Sequence, residues 1–156
     1  MSGRLPAPLT FSSKFPGINY SQESGITLDI NGEGCAPASS FWSYLDQLVT
    51  ACPLIIDRPR NSRHPCFPEV IYPLDYGYLE GTRTVDGGGL DVWLGTSRDH
   101  VLSAIILTID LLKRDAEMKI LLGCTEEEIQ IILDFQRTKS MQALLVRRPI
   151  LQGGDK

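Results

Sequence analysis

The chain is poor in the features that mark a metal cage, a redox centre or a membrane anchor. Its four cysteines, Cys35, Cys52, Cys66 and Cys124, form no CxxC pair and no Cys/His cluster at zinc spacing. They read as reduced, mostly packed thiols. The two histidines, His64 and His100, stand alone in polar stretches and read as bystanders. No apolar run approaches the ~18–20 residues of a membrane span. The first residues lack the charged-then-apolar pattern of a secretory leader, so the expectation is a cytoplasmic protein without a membrane partner. Basic charge is not in excess: 15 Lys and Arg face 19 Asp and Glu, a net charge of −4. No basic stripe runs between aromatics, which argues against nucleic acid as a partner.

What is present fits one domain with a leading segment in 156 residues. Residues 1–38 are rich in Ser, Gly and Pro, show no apolar period and read as a flexible extension. The domain is expected over 39–156. Phe41, Trp42, Tyr44, Leu45, Leu48, Val49 and Cys52 then recur at helical spacing behind a serine cap. From Pro53 the pattern turns to short apolar runs between turn residues. Leu54–Asp57, Tyr72–Glu80, Gly89–Leu94, Val101–Asp110, Glu117–Leu122 and Met141–Arg148 read as strands. Val101–Asp110 is apolar nearly throughout, as a strand buried on both faces would be. Thr125 followed by Glu128 makes a capping box, so a helix is expected from there to about Gln136. Strands first and a helix late predict an α+β, mainly β fold: a small closed OB-like barrel of five to six strands with flanking helices.

Two stretches carry chemistry. The first is Tyr72-Pro73-Leu74-Asp75-Tyr76-Gly77-Tyr78, followed after a turn by Asp86-Gly87-Gly88-Gly89-Leu90-Asp91-Val92. In the strand, Leu90, Val92 and Leu94 point one way and Asp91 the other, toward a site. The second is Asp115-Ala116-Glu117-Met118-Lys119. Alternation puts its two acids and its lysine on one face, about 6–7 Å apart along the strand. Such a row suits a hard cation and a phosphate held side by side.

Together these stretches resemble the soluble inorganic pyrophosphatases, whose hallmark is a Tyr-Pro-x-x-Tyr-Gly-Tyr-like strand, a turn and an Asp-Gly-Asp-Pro-Leu-Asp-Val-like segment. The resemblance runs from about Leu54 to Lys119. It extends upstream to Ile56-Asp57-Arg58-Pro59-Arg60-Asn61-Ser62-Arg63 and downstream to Gln136-Arg137, where the family has Tyr-Lys. It implies magnesium-dependent hydrolysis of inorganic pyrophosphate, or of a related phosphoanhydride, into phosphate, by a homo-oligomer. The roles it carries over are Asp86, Asp91, Glu117, Asp115 and Asp57 as metal ligands. Lys119, Arg137, Arg63 and Tyr72 are carried over as substrate contacts. Asp86, Asp91 and Tyr76 are carried over as catalytic residues. The chemistry wants these types: magnesium takes carboxylate and water oxygens, and phosphoryl oxygens take basic groups.

The chain departs from that pattern in two places. Gly88 replaces the middle aspartate, which in the family is the favoured acceptor for the proton of the attacking water. Between Ser62 and Tyr72 it is too short for the hairpin that brings further charged groups. Arg60, Arg63 and His64 are the residues there able to add positive charge or a proton donor. Losing a general base removes about 10²–10⁴-fold in rate, so slow turnover is expected, or none. The alternative is a catalytically degenerate module that binds a phosphorylated ligand or serves in oligomerisation. On the residues alone, Asp86 is also a plain turn former, the tyrosines are also packing, and the Asp115–Lys119 row is also a solvated strand face.

Overall fold

The computed structural model describes residues 38–150. The leading extension expected over 1–38, with Cys35, lies outside the described residues except for Ala38, as do residues 151–156. Eight elements follow in order. They are α1 (Ala38–Ala51), β1 (Leu54–Arg58), β2 (Asp75–Leu79), β3 (Leu90–Leu94), β4 (Leu102–Asp110), β5 (Asp115–Leu122), α2 (Glu126–Gln136) and β6 (Met141–Arg147). Each expected strand and helix is present, and its ends move by a few residues. The largest shift is at Tyr72–Leu74, which precede β2 rather than belong to it.

The six strands form one mixed sheet in the order β1-β2-β3-β5-β4-β6. Neighbours are antiparallel except β3 and β5, which run parallel with Asp91 beside Lys119. The sheet is open, with β1 and β6 at opposite edges, so the expected closed barrel is not what forms. The reason lies in its two apolar faces. A small barrel buries one face of its strands inside. Here both faces carry large apolar side chains, and each is covered by its own helix.

On one face Leu79, Leu90, Val92, Leu102, Ile105, Ile120 and Leu122 pack against Trp42 and Leu45 of α1. On the other, Trp93, Ala104, Ile106 and Leu121 pack against Ile129, Ile132 and Leu133 of α2. Both helices owe their docking to apolar residues three and four apart. α2 starts on the expected capping box: the Thr125 hydroxyl accepts from the Glu128 amide, and the Glu128 carboxylate accepts from the Thr125 amide at 2.9 Å. Glu128 also accepts from the Thr96 amide at 3.2 Å, which ties the helix start to the end of β3.

Neither helix covers its whole face. β4 is therefore not buried on both sides as its composition predicts: Leu107 and Ile109 are exposed beyond the reach of α1. On the α2 face, the helix ends at Gln136, and the sheet beyond its apolar contacts carries ionisable side chains instead.

Candidate functional site

Three strands meet at that uncovered part of the α2 face. Alternation along β3 turns Leu90, Val92 and Leu94 to α1 and leaves Asp91 on the side of Trp93. In β5 the same alternation puts Glu117 and Lys119 with Leu121, while Ile120 and Leu122 face α1. Tyr76 in β2 is opposite Trp93 and shares its face. Parallel pairing of β3 with β5 then sets Asp91 directly beside Lys119.

Lys119 is the hub. Its ammonium donates to Asp91 Oδ2 at 2.7 Å, Glu117 Oε2 at 2.6 Å and Tyr76 Oη at 3.1 Å. The lysine is 4% exposed, whereas each carboxylate side chain keeps 29% of its surface open to water. Burial works against the charge on Lys119, but its partners Tyr76, Asp91 and Glu117 outweigh it and raise the pKa, so the lysine stays protonated. Burial also raises the pKa of Tyr76, with nearby Asp91 adding to the effect, so its phenol stays protonated and remains a donor.

An aromatic wall flanks this cluster. Tyr76 lies 4.6 Å from Trp93 and 5.5 Å from Tyr72 between ring centres, and Phe135 of α2 closes on Tyr72 and Trp93. His64 stacks on the outer side of Tyr72. The wall is dry at its base, since Trp93 is fully buried. Gly77 passes so close to the Ile55 carbonyl that a Cβ there would overlap it, which fixes glycine between the two tyrosines.

Of the residues singled out by sequence, the structure brings Tyr76, Asp91, Glu117 and Lys119 together, with Tyr72 buried alongside. The others stand elsewhere. Asp86 is fully exposed in the β2–β3 turn, where it accepts from Thr84 Oγ1 and from the Gly88 amide at 3.1 Å. Those two bonds, Thr84 first, hold its carboxyl below the usual range. Asp115 is exposed at the start of β5, paired across the ladder with Asp110. Asp57 sits on a bulge of β1 and binds Arg58 at 3.1 Å. Arg63 donates to the Pro68 carbonyl at 2.9 Å, and Arg137 to the Ala143 carbonyl at 3.4 Å.

Arg58 is the residue that sequence reasoning passed over. The bulge between Ile56 and Arg58 places Arg58 opposite Tyr76. Burial raises the pKa of the Tyr72 hydroxyl, and the Arg58 guanidinium beside it offsets only part of that rise. Simple alternation does not reveal this, because a bulge resets which face each later residue takes.

Among the described residues, no group of three or more His, Cys, Asp or Glu side chains is gathered as a metal cage needs. Two carboxylates, Asp91 and Glu117, converge on the Lys119 ammonium, and each keeps part of its surface open to water. In number and type alone, such a pair matches what magnesium commonly uses, one or two carboxylates with the rest of the shell made by water and substrate phosphate. Among the described residues no helix is long and apolar enough to cross a membrane. No protein-family model matches the chain, and a search of curated proteins finds no match either.

Proposed function

We propose that this site binds a diphosphate with magnesium and hydrolyses it slowly, in keeping with the resemblance to soluble inorganic pyrophosphatases. The observation that supports this most is the meeting of Asp91, Glu117, Lys119 and Tyr76, from three strands, on an open patch of sheet. Asp91 and Glu117 would hold the cation, which when bound neutralises phosphoryl charge and acidifies water. Lys119 keeps the two carboxylates converged against their mutual repulsion. Tyr76 offers its phenolic O–H to a phosphoryl oxygen or to water. In the reaction a water oxygen bonds to one phosphorus, the bridging P–O bond breaks, and the proton leaves with phosphate or solvent. No carboxylate of the β2–β3 turn reaches toward the cluster through a hydrogen bond, so proton removal lacks a dedicated base, and turnover is slow.

Phosphate release from pyrophosphate tests this. Release should require magnesium and fall by about tenfold or more in Asp91→Asn. Equal release without magnesium, or by Asp91→Asn, would count against the proposal.

A second reading is a module that binds a phosphorylated ligand without turnover, or that serves in oligomerisation. It is favoured by Gly88 and by Asp86 being engaged within its own turn. Calorimetric binding of pyrophosphate with no phosphate release would select it.

A further inference from the structure

An ammonium has three N–H donors. Lys119 has spent all three, on Asp91, Glu117 and Tyr76. It therefore organises the carboxylates and has no N–H left for an anion. Two carboxylates around one buried ammonium leave the cluster net negative, and a bound magnesium ion would reverse that sign without adding any N–H donor for the phosphoryl oxygens. A side chain that hydrogen-bonds the phosphoryl oxygens must therefore come from elsewhere.

The candidates sort by geometry. Arg63 and Arg137 are exposed and bonded to backbone carbonyls, Arg63 to Pro68 of its own loop and Arg137 to Ala143 of β6. Lys113 is two-thirds exposed on the β4–β5 turn and only approaches Glu117, at 3.9 Å. Arg58 differs in three ways. The β1 bulge sets it across the ladder from Tyr76, on the aromatic wall beside the cluster. One nitrogen, Nη1, is anchored by the Asp57 carbonyl at 3.0 Å and the Asp57 carboxylate at 3.1 Å, which fixes the head. The side chain is 32% exposed, so its outer edge meets solvent where a ligand would arrive. A guanidinium carries five donors in a planar fork, suited to two phosphoryl oxygens at once.

We propose that Arg58, not Lys119, is the residue that recognises the phosphoryl group, held by Asp57 for that purpose. This rests on the diphosphate reading above and deepens it: the bulge of β1 is then part of the site. Asp57 thereby takes the role of a positioning residue for the guanidinium instead of a metal ligand.

The test is calorimetric titration of the full chain with imidodiphosphate, a non-hydrolysable diphosphate, in magnesium. Arg58→Gln, Arg58→Lys and the charge-matched control Arg98→Gln are compared with the parent. Arg98 is an exposed arginine of the β3–β4 loop. Charge-assisted hydrogen bonds of the expected kind make binding about 10–100-fold weaker in Arg58→Gln. Arg58→Lys should recover part of the loss and Arg98→Gln should bind as the parent does. In steady state the Arg58→Gln change should appear in KM more than in kcat, which a merely structural defect would not produce. Binding by Arg58→Gln within twofold of the parent, or an equal loss in Arg98→Gln, overturns the role of Arg58 while leaving the diphosphate site standing. No binding by the parent overturns both.

Discussion

Lys119 concentrates the energetics of this protein at a single residue. Burying an ammonium carries a cost of several kcal/mol, and only close, well-directed partners offset it. The contacts at 2.6–2.7 Å to Glu117 and Asp91 are of that kind. Removing the cation strands the carboxylates against each other. Lys119→Met should lower unfolding free energy by about 2–4 kcal/mol in urea at neutral pH, somewhat below a fully buried pair because both acids still touch water. A loss under about 1 kcal/mol would mean that the ion cluster contributes little to the fold. The neighbouring Asp91→Asn keeps a polar partner for Lys119 and should be milder. At this scale the sequence was informative about which residue types stand where. Alternation alone put Asp91 opposite Leu90 and Val92, and Glu117 on the side of Lys119. It said nothing of Arg58, because the bulge at Asp57 depends on how β1 pairs with β2.

Among the elements, α2 is where local chemistry and tertiary placement meet. Its capping box was legible in Thr125 and Glu128. That the same carboxylate also receives the Thr96 amide, and so joins helix to sheet, was not. Burial pushes the Glu128 pKa up, but the amide and hydroxyl bonds from Thr125 and Thr96 outweigh it and the net shift is downward. A carboxylate with a depressed folded pKa stabilises the protein above its unfolded pKa, and that contribution fades as pH falls through the folded value. Glu128→Gln keeps an acceptor for these amides but loses the charge at the helix N-terminus, and should therefore cost about 0.3–1 kcal/mol at neutral pH. The gap between the two proteins in thermal melting should close as pH drops from the ordinary glutamate value of 4.5 to well below it. A gap that persists unchanged in acid would show that the glutamate acts through packing alone.

At the scale of the whole molecule, the described residues form two half-cores on one sheet. Trp42 reports on the α1 face and Trp93 on the α2 face, and both are buried. The strands between them serve both sides, so neither face can lose its packing while the other keeps an intact support. Trp42→Phe and Trp93→Phe, each leaving one tryptophan, should give tryptophan-fluorescence denaturation curves whose normalised shape and slope match the loss of circular dichroism in the same protein. Within either protein, fluorescence and dichroism separated along the denaturant axis would mean that the faces melt independently. Trp93→Phe gives up no hydrogen bond, because the indole N–H has no partner, so its cost is that of the cavity left in the α2-face core.

By itself the sequence determined the elements. Period two and period 3.6 set strands and helices, turn residues separated them, and a capping box started α2 where expected. It also determined which acids and which lysine stand on the outward side of their strands, since side-chain direction is a local property of extended backbone. Strand neighbours were decided only by the tertiary structure, because pairing joins residues distant in the chain. Putting β5 parallel to β3 is what brings Lys119 to Asp91, and the open order with β1 and β6 at the edges follows from two apolar faces each needing a helix. The same long-range pairing left Asp86 out in its turn and carried Arg58 in.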